Sequence, residues 1–341
     1  MERTPLVELP PELVHPSARA EARWLLGIDG GATKTLAAVL DLQERVLHLG
    51  HSGPSNEDAV GAKAAVAALL DAADQALNAA GLQEHELDSA VLAVAGTDTA
   101  SVTRHVRAAR GEAWIVVNDV VGAWATATGA GPGVGAICGT GSNVFGVGRT
   151  GKSWRTGGWG HVLGDEGSGY WLGVESIKAA LHDRDASGPP TALSDVAPGF
   201  FGVDTVEALA SLVYSKPLTK REIASFAVET AAVAGQGDEV AGELFRRGAR
   251  LLGGQIAAVI VQTELQGTFP VGLIGSTYKA GEVLLAPLRE RVAETAPEAR
   301  LEIVEAPPAA GSLLLAARAC GCESAISAEQ IGRLLEGALS A

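Results

Sequence analysis

The sequence predicts an α/β protein built from two halves with a cleft between them. Three observations support this fold class. A strand, a glycine-rich turn and a second strand occur in that order twice, at 24–42 and again at 133–149. In both halves, apolar strands also alternate with helices. Finally, 341 residues correspond to about two domains of ordinary size.

The first half has the predicted order βββαβαβ. Its segments are strands at 24–29, 35–42, 46–53, 89–96 and 113–119, with helices from about 57 to 80 and through 104–110. Gly81 follows the long helix at the position where a glycine commonly ends a helix.

The second half repeats the strand, glycine turn, strand order and then adds a helical region. A short helix after Asp119 leads to strands at 133–138 and 144–149 and an extended piece at 152–156; a mostly helical stretch at 167–266 precedes strands at 271–276 and 301–304 and helices at 280–295 and 310–320. The apolar spacing of Ile331, Leu334, Leu335 and Leu339 predicts a last helix that crosses back onto the first half. The expected domains are an N-terminal extension at 1–22, a first domain at 23–118 together with 323–341, and a second domain at 119–322 with a helical insertion.

Composition and charge exclude several classes of protein. Apolar residues make up 47% of the chain and charged residues 19%, which indicates a globular protein with a substantial core. The net charge of −14 is spread along the chain and argues against nucleic acid or an anionic membrane as a partner. No apolar run approaches the roughly 20 residues of a spanning helix, and the start lacks the apolar stretch of a signal peptide. We therefore expect a cytoplasmic protein with a short, flexible N-terminal extension.

Two motif matches are predicted to play no part in binding. Cys320 and Cys322 lack the second pair or the nearby histidine that would complete a zinc site, so we expect free thiols. Segment 146–153, GVGRTGKS, satisfies the P-loop pattern, but a P-loop must precede a helix. The residues that follow, WRTGGWG, are too rich in glycine and aromatic residues to begin one. We predict a β-hairpin at this segment.

The two glycine turns are better candidates for phosphate binding. Asp29 is followed by Gly30, Gly31, Ala32 and Thr33 and then at once by a strand. Glycines let backbone N–H groups approach phosphate oxygens, Thr33 could donate to a phosphate, and Asp29 could hold Mg²⁺ through water. The alternative is an ordinary Asp-Gly hairpin turn. The second turn, residues 139–143, repeats the pattern, so the two hairpins could clamp phosphates across the cleft.

Three carboxylates precede predicted helices. Asp119 ends an apolar strand near the junction of the halves, which is the usual position of a ligand crevice in α/β proteins. Asp165 and Glu166 lie within GWGHVLGDEGSG. Each could instead cap a helix N-terminus, which stabilises a helix by about 1 kcal/mol without any catalytic role. The aromatic residue among glycines ahead of Asp165 favours a polar ligand lying against backbone and a ring.

Seven segments, taken in order, resemble the N-acetylglucosamine kinases of the BadF/BadG/BcrA/BcrD group within the actin, Hsp70 and sugar-kinase superfamily. They are DGGATKT, GPSNEDAVG, AVAGTD, NDVVGAWATATG, GTGSN, GGWGHVLGDEGSGYWLG and LIGS. The resemblance covers about residues 23–320, and GGWGHVLGDEGS is its most specific part. It implies two ribonuclease H-like (actin-like ATPase) domains flanking a nucleotide and sugar cleft, with ATP and Mg²⁺ as cofactors, an amino sugar as substrate, and a homodimer.

The resemblance also assigns roles to single residues. Asp119 would be the general base that takes the proton of the sugar 6-hydroxyl, and Asp29 would organise Mg²⁺. The residues implied to bind the sugar are Asn56, Asp119, Ser142, Asn143, Gly158, Trp159, Gly160 and Asp165. Those implied to lie along ATP are Gly31, Thr33, Thr140, Ala224, Gly275 and Ser276.

Departures from the family pattern and several alternatives stay open at this point. Ala32 stands where many relatives have a third glycine, and Ala280 stands where relatives can offer the nucleotide a hydroxyl. N-acetylglucosamine is the expected substrate, with glucosamine and then N-acetylmuramic acid as alternatives. A sugar-sensing repressor would need a helix-turn-helix ahead of the first strand, which the short acidic extension does not offer. A dehydratase-activating ATPase would need cysteines that ligate an iron–sulfur cluster, a role for which Cys138, Cys320 and Cys322 are poorly placed.

Overall fold

The computed structural model describes residues 7–17, 19, 21–96, 99–215 and 218–340, and within these ranges the chain forms two five-stranded sheets surrounded by helices. The strands are β1 (Trp24–Gly30), β2 (Thr35–Asp41), β3 (Val46–Ser52), β4 (Ser89–Val94), β5 (Trp114–Asn118), β6 (Gly133–Cys138), β7 (Ser142–Val147), β8 (Ser153–Gly157), β9 (Pro270–Ile274) and β10 (Arg300–Ile303). The helices are α1 (Pro11–Val14), α2 (Glu57–Val60), α3 (Ala62–Ala80), α4 (Ala100–Arg110), α5 (Asp119–Thr128), α6 (Gly169–Arg184), α7 (Leu193–Phe201), α8 (Val206–Ser215), α9 (Lys220–Gly235), α10 (Glu239–Gln262), α11 (Glu282–Ala293), α12 (Ala309–Ala319) and α13 (Ala328–Ser340). Short 3₁₀ turns lie at Glu84–Glu86, Ser276–Ala280 and Glu323–Ala325.

The two sheets share one topology. The strand order is β3-β2-β1-β4-β5 in the first sheet and β8-β7-β6-β9-β10 in the second. In each sheet, the first three strands in chain order pair antiparallel and the last two join in parallel. The repeated pattern in the sequence therefore corresponds to a repeated half, and the predicted α/β class is confirmed.

Helices α5 and α12 lie between the sheets. α5 contacts β6 and β9 of the second sheet and packs along α12, which contacts β1 and β4 of the first. The two helices meet where both carry glycine, since a Cβ on Gly311 would be only 1.9 Å from the carbonyl oxygen of Gly122. The Ser312 hydroxyl donates to the carbonyl of Ile28 at 2.7 Å. One apolar cluster around Trp124 joins both sheets and fixes the start of α5 relative to β1.

The return of the chain to the first sheet begins with α12 and continues in α13, which lies against β3 and α12. Ile331 and Leu335 are buried in this contact, whereas Leu339 is exposed. The domain limits expected at 118/119 and 322/323 stay a prediction. Helix α12 precedes the second of these limits and nevertheless packs on the first sheet.

Helices α6 to α10 stand beside the second sheet, and the mostly helical stretch predicted for 167–266 is confirmed. α6 packs against α7 and α9, and α10 packs against α11. Phe226 and Phe245 are buried at the centre of this layer. The layer forms one wall of the cavity described below.

Two helices differ from their predicted limits. The single helix predicted from about 57 to 80 is two helices, α2 and α3, because Gly61 between them has a φ of 79° that a right-handed helix does not adopt. Gly81 ends α3 in the left-handed conformation, as predicted. The helix predicted at 280–295 is a 3₁₀ turn followed by α11, with Gly281 at a φ of 74° between them.

The N-terminal extension is packed against the core where it is described. Leu9 and Leu13 are buried in the cluster that contains α12. The guanidinium of Arg318 donates to the carbonyl of Leu13 at 2.6 Å and to that of Ala130 at 2.5 Å. Leu9 and Leu13 therefore attach this part of the extension to the core, and the flexibility expected of the extension stays a prediction. The rest of the expected segment 1–22 includes residues 1–6, 18 and 20, which lie outside the described residues.

Segment 146–153 forms the turn between β7 and β8, as predicted. The backbone N–H of Gly148 donates to the carbonyl of Lys152 at 2.8 Å, which closes a hairpin. Strand β8 follows directly, and it pairs antiparallel with β7. The Lys152 ammonium lies 2.8 Å from Glu264 Oε1. The P-loop pattern is therefore carried by a β-hairpin.

The three cysteines, Cys138, Cys320 and Cys322, are free thiols. In the part of the chain that the structure describes, no three His, Cys, Asp or Glu side chains are grouped so that they could hold a metal ion.

Among the described residues, no single helix is long and apolar enough to cross a bilayer. Helices α7 and α8 meet that test only as a pair, with a bend of 44° between them.

Candidate active site

Asp29 and Asp119 lie at one edge of the first sheet. In its parallel part, Asp29 on β1 pairs with Ala93 on β4, and Val94 pairs with Asn118 on β5. The end of β1 is therefore level with the start of α5, whose first residue is Asp119. The carboxyl ends of parallel strands form the usual ligand crevice of an α/β sheet. The two predicted carboxylates are thus brought together at this edge.

Asn118, and not Asp119, caps helix α5. The Asn118 Oδ1 accepts from the backbone N–H of Val120 at 3.2 Å, and its Nδ2 donates to the carbonyl of Gly96 at 2.9 Å. The helix-cap alternative for Asp119 is therefore wrong. The N–H groups of Val120 and Asp119 also act on the Asp119 carboxylate, whose remaining acceptor positions could serve a ligand.

Both carboxylates have raised pKa values. Burial raises the pKa of Asp29 from 3.8 to about 6, although the charge of Lys34 opposes this. Burial is also the main reason that the pKa of Asp119 rises to about 7, and repulsion from Asp29 adds to it. The N–H of Val120 and the charge of Arg155 act in the opposite direction. An aspartate with a pKa near neutrality is a stronger base than one in water, and it still ionises at physiological pH.

The first glycine turn joins β1 to β2 directly after Asp29. The N–H of Gly31 donates to the carbonyl of Lys34 at 3.0 Å and closes the turn. Thr33 is exposed at its tip. Ala32 does not have a positive φ, so the replacement of a glycine by alanine at this position costs no backbone strain.

Asn56 follows a loop that is bonded to the first turn. The N–H of Ser55 donates to the carbonyl of Gly31 at 3.0 Å, and the Thr35 hydroxyl donates to Ser55 Oγ at 2.8 Å. Asn56 Oδ1 accepts from the N–H of Asp58 at 2.9 Å and caps α2. Its amide nitrogen is the group that could donate to a sugar, so the predicted role of Asn56 would use one end of the side chain only.

The second glycine turn joins β6 to β7 and is held by the helical layer. The carbonyl of Gly139 accepts from the N–H of Gly169 at 2.8 Å and from the Thr277 hydroxyl at 3.0 Å. The carbonyl of Thr140 accepts from the N–H of Tyr170 at 3.2 Å. The turn is therefore fixed between the first residues of α6 and the 3₁₀ turn after β9.

Asp165 lies beside the second turn in a strained backbone conformation. It has a φ of 61°, a region that residues other than glycine rarely adopt and that is often found at functional sites. Its Oδ1 accepts from the N–H of Ser142 at 3.1 Å, and the Ser142 hydroxyl donates to the carbonyl of Glu166 at 3.0 Å. Ser168 caps α6 by accepting from the N–H of Trp171 at 3.2 Å. The helix-cap alternative is therefore wrong for both Asp165 and Glu166.

Gly158, Trp159 and Gly160 form an open turn between β8 and Asp165. Gly158 and Gly160 have φ values of 68° and 78°, which glycine adopts without strain. The Trp159 side chain is 55% exposed. Burial raises the pKa of the neighbouring Asp165 carboxyl, while the N–H of Ser142 opposes this. An exposed indole beside a hydrogen-bonding carboxylate suits a ligand with an apolar ring face and polar edges.

Two polar residues of this region, Asn118 and Arg155, were not predicted. The Nε of Arg155 donates to Asn143 Oδ1 at 3.1 Å, and its Nη2 donates to the carbonyl of Gly158 at 2.8 Å. Asn143 Nδ2 lies 3.5 Å from Asn118 Oδ1, so the predicted sugar residues on the second sheet connect to the start of α5. Asn118 could have been found, because asparagine is as good a helix cap as aspartate. A buried arginine in a short strand carries no comparable signal in the sequence.

A cavity of about 320 Å³ opens between the second glycine turn, α9 and the 3₁₀ turn after β9. Three predicted nucleotide residues, Thr140, Ala224 and Ser276, line this cavity. Ala280, whose contact with a nucleotide the sequence left open, also lines it. Gly275 lies just behind the lining, where a Cβ would be 2.2 Å from the carbonyl oxygen of Cys138.

The cavity wall combines apolar and cationic side chains. Val228, Ala231 and Phe245 form an apolar side, and Arg221 and Lys279 supply positive charge. None of these five was predicted from the sequence. The remaining predicted nucleotide residues, Gly31 and Thr33, belong to the first sheet and are not part of this lining. An apolar cleft with a few convergent polar groups is the usual form of a small-molecule site.

Comparison with known proteins identifies relatives of the chain. Residues 26–316 match the sequence pattern of the BadF/BadG/BcrA/BcrD ATPase family. The chain is 32% identical over 249 residues to the N-acetylmuramic acid/N-acetylglucosamine kinase of Clostridium acetobutylicum, covering 72% of this chain and 81% of that protein. It is 30% identical over 312 residues to the N-acetyl-D-glucosamine kinase of Dictyostelium discoideum, covering 85% of this chain and 97% of that protein. A solved structure from Chromobacterium violaceum, described as a candidate N-acetylglucosamine kinase, is similar in fold with a TM-score of 0.67 at 24% identity, covering 86% of this chain and 99% of that one.

Proposed function

Because this chain belongs to the BadF/BadG/BcrA/BcrD ATPase family, we propose that it is an amino-sugar kinase that transfers the γ-phosphoryl group of ATP to the 6-hydroxyl of N-acetylglucosamine. Both sequence relatives at 30% identity or more are named as kinases of this sugar. The fold resembles that of the Chromobacterium violaceum structure. In this proposal the nucleotide lies in the cavity, the reacting groups lie at the pair of carboxylates, and the sugar lies at the polar turn.

The observation that carries the proposal is the environment of Asp119. Its carboxylate stands at the carboxyl-end edge of the first sheet, beside Asp29, and helix α5 is capped by Asn118 instead. In the proposed reaction, Asp119 accepts the proton of the sugar 6-hydroxyl as the oxygen attacks the γ-phosphorus. Positioning and a modest base suffice, because the charge of the transition state is spread mostly over the phosphoryl oxygens.

The sugar would lie between Asp119 and the turn at 158–165. Asn143 and Asp165 would hydrogen-bond its hydroxyl groups, Gly158 and Gly160 would let the backbone approach it, and Trp159 would cover a ring face. Ser142 would act through the Asp165 turn, because its hydroxyl already donates to Glu166. Asn56 would add a donor from the first sheet.

The nucleotide would occupy the cavity beside the second glycine turn. Its base would lie against the apolar side formed by α9 and α10, and Thr140 and Ser276 would lie along the ribose and phosphates. Thr33 and the N–H of Gly31 would reach the γ-phosphate from the opposite side. The backbone around Ala224 on α9 would also lie along the nucleotide, and Gly275 would let strand β9 end close to Cys138.

Asp29 would hold Mg²⁺ through water. The residues fit this ion, because Mg²⁺ is commonly bound by one or two carboxylates together with substrate phosphates and retained waters. The raised pKa of Asp29, about 6, and its repulsion with Asp119 both indicate a pair of carboxylates that a cation would stabilise. When bound, the ion would neutralise charge on the phosphates.

A coupled ADP-release assay over a panel of sugars tests the proposal. We expect turnover with N-acetylglucosamine, and no turnover with its 6-deoxy analogue, which lacks the acceptor oxygen. N-acetylmuramic acid is the second candidate, since the Clostridium acetobutylicum relative is named for both sugars. Glucosamine, N-acetylmannosamine and glucose complete the panel. Turnover with none of the amino sugars, or undiminished turnover of the 6-deoxy analogue, would contradict the proposal.

The family resemblance further leads us to propose a homodimer. Light scattering coupled to size-exclusion chromatography measures the mass in solution directly. A mass equal to that of one 34.7 kDa chain at micromolar concentration would contradict it.

A further inference from the structure

Arg155 on β8 is a buried cation that donates hydrogen bonds to residues of the candidate sugar site. It is only 6% exposed, and none of the ion pairs formed by the described residues includes it. Burying a guanidinium without a bonded carboxylate is costly, so its hydrogen bonds must compensate. They go to Asn143 Oδ1 at 3.1 Å and to the carbonyls of Gly158 at 2.8 Å and Gly157 at 3.3 Å.

These contacts determine how Asn143 points. Arg155 has donors only, so the oxygen of the Asn143 amide must face it and the amide nitrogen must point away. That nitrogen lies 3.5 Å from Asn118 Oδ1, the same atom that accepts from the N–H of Val120 in α5. A continuous chain of polar contacts therefore runs from β8 through β7 to the start of α5.

Gly158 leaves room for the guanidinium of Arg155, because it has no side chain. A Cβ on this residue would lie 2.3 Å from Arg155 Nη2 and 2.9 Å from the Asn143 side chain. Its φ of 68° is also in the left-handed region. The turn thus presents its carbonyl to Arg155, and a larger residue would separate the two.

We propose that Arg155 is a positioning residue of the kinase reaction, which orients the Asn143 amide and the 157–158 turn toward the sugar. The proposal rests on the proposed function, in which Asn143 binds the sugar. Two substitutions test it, one that removes the guanidinium and one that keeps a cation but loses the planar fork.

Arg155→Met removes the hydrogen bonds to Asn143 and the 157–158 turn while roughly preserving volume. We expect KM for the sugar to rise and kcat to fall, each by roughly tenfold or more, because misplacement of binding groups by about 1 Å can cost up to 100-fold in rate. KM for ATP should change by less than about twofold, because Arg155 is not in the cavity lining.

Arg155→Lys retains the charge but loses the planar fork that serves Asn143 and Gly158 together. KM for the sugar should therefore stay raised, although a cation is still present at this position. Arg149→Met is the matched control, since Arg149 lies on the exposed turn of the same hairpin. We expect this control to behave as the wild type.

Two results would overturn the proposal. One is an Arg155→Met variant whose sugar KM matches that of Arg149→Met. If Arg155→Met does not fold by circular dichroism and thermal unfolding, the other is an Arg155→Lys variant with the sugar KM of the wild type.

Failure of the proposed function is a separate outcome. It appears as absence of sugar turnover by the wild type. In that case, calorimetric titration of wild type, Arg155→Met and Arg149→Met with N-acetylglucosamine decides the positioning role by binding alone. Loss of affinity confined to Arg155→Met supports the role, and equal affinities reject it.

Discussion

The two glycine turns occupy equivalent positions in their sheets but are held in different ways. The second turn is bonded to neighbouring elements through the carbonyls of Gly139 and Thr140, which accept from the start of α6 and from Thr277. The first turn closes on itself through Gly31 and Lys34 and is bonded outward to the loop before Asn56. The first turn also follows Asp29 directly, whereas the second follows the neutral Cys138.

This difference indicates that the two turns, although equivalent in topology, serve different steps: ligand binding at the second turn and catalysis at the first. The second turn borders a formed cavity, so the surrounding helices preorganise a place for a ligand before it arrives. The first turn adjoins the two carboxylates with raised pKa values, which is where proton transfer would occur. We infer that binding energy comes mainly from the second half and that the chemical step depends on the first sheet and the start of α5.

The largest effect should come from the base. Asp119→Asn removes the proton acceptor with little change in shape, so we expect kcat to fall by roughly 100-fold or more. Affinity for ATP, measured by calorimetry without sugar, should change by less than about twofold because Asp119 does not line the cavity. Asp204→Asn, at an exposed position, is the control. A variant that keeps more than about a tenth of the activity would show that Asp119 is not the base.

A smaller effect should separate the two turns. Thr140→Ala removes a hydroxyl from the cavity lining, and the loss of about 1 kcal/mol corresponds to roughly fivefold weaker binding of ATP in the absence of sugar. Thr33→Ala should leave that binary affinity within about twofold and lower kcat severalfold, since its contact forms with the γ-phosphate in the reacting complex. If both substitutions weakened ATP binding equally in the absence of sugar, the separation of ligand binding from catalysis between the two turns would be contradicted.

The site carboxylates should also cost stability in the ligand-free protein. The pKa of Asp119 is about 7 in the folded protein against 3.8 without the fold, so the folded state binds more protons between these values. The free energy of unfolding should therefore decrease as pH rises from about 4 to about 7, and the loss should persist above that. Asp119→Asn removes this pH-dependent decrease in the free energy of unfolding.

We expect Asp119→Asn to unfold at a higher temperature than the wild type at pH 8, and at the same temperature at pH 4. Each kcal/mol recovered corresponds to roughly 1–2 °C in a chain of 341 residues, given about 2.1 cal/mol/K of unfolding entropy per residue. The measurement is thermal unfolding without Mg²⁺ or nucleotide, with Asp204→Asn as the surface control. A lower unfolding temperature for Asp119→Asn at pH 8 would mean that the carboxylate stabilises the fold.

Features of the fold and the site could be predicted from the sequence where they depend on residues close together in the chain. The repeated strand, turn, strand order and the helical stretch follow from local periodicity, and the glycine turns were found from composition alone. The position of Asp119 at the end of an apolar strand predicted it as a candidate base. That Asn118 caps the helix instead could not be predicted, because Asn118 is held by a contact with Gly96 in another part of the chain. The break at Gly61 depends on a backbone conformation that glycine permits and does not require.

Residues that act through distant contacts were the ones missed. Arg155 reaches Asn143 across a strand pair, and Arg221 and Lys279 meet at the cavity from helices far apart in sequence. The packing of Leu13 against α12 joins the two ends of the chain. Spacing along the sequence does not reveal such contacts, because only the tertiary fold brings the residues that make them together.

The smallest effect is expected at the third glycine hairpin, which resembles a phosphate-binding loop in sequence only. Lys152 lies on the turn between β7 and β8, and its ammonium pairs with Glu264 at 2.8 Å on the surface. Lys152→Ala should therefore change ATP affinity by less than about twofold, whereas removal of a true phosphate-binding lysine would cost about 1.5–3 kcal/mol. Calorimetric titration with ATP measures the difference, and Glu264→Ala, which leaves Lys152 unpaired, is the matched control. If Lys152→Ala alone weakened ATP binding tenfold, the phosphates would have to lie at this hairpin, and the roles assigned to the other two turns would both be wrong.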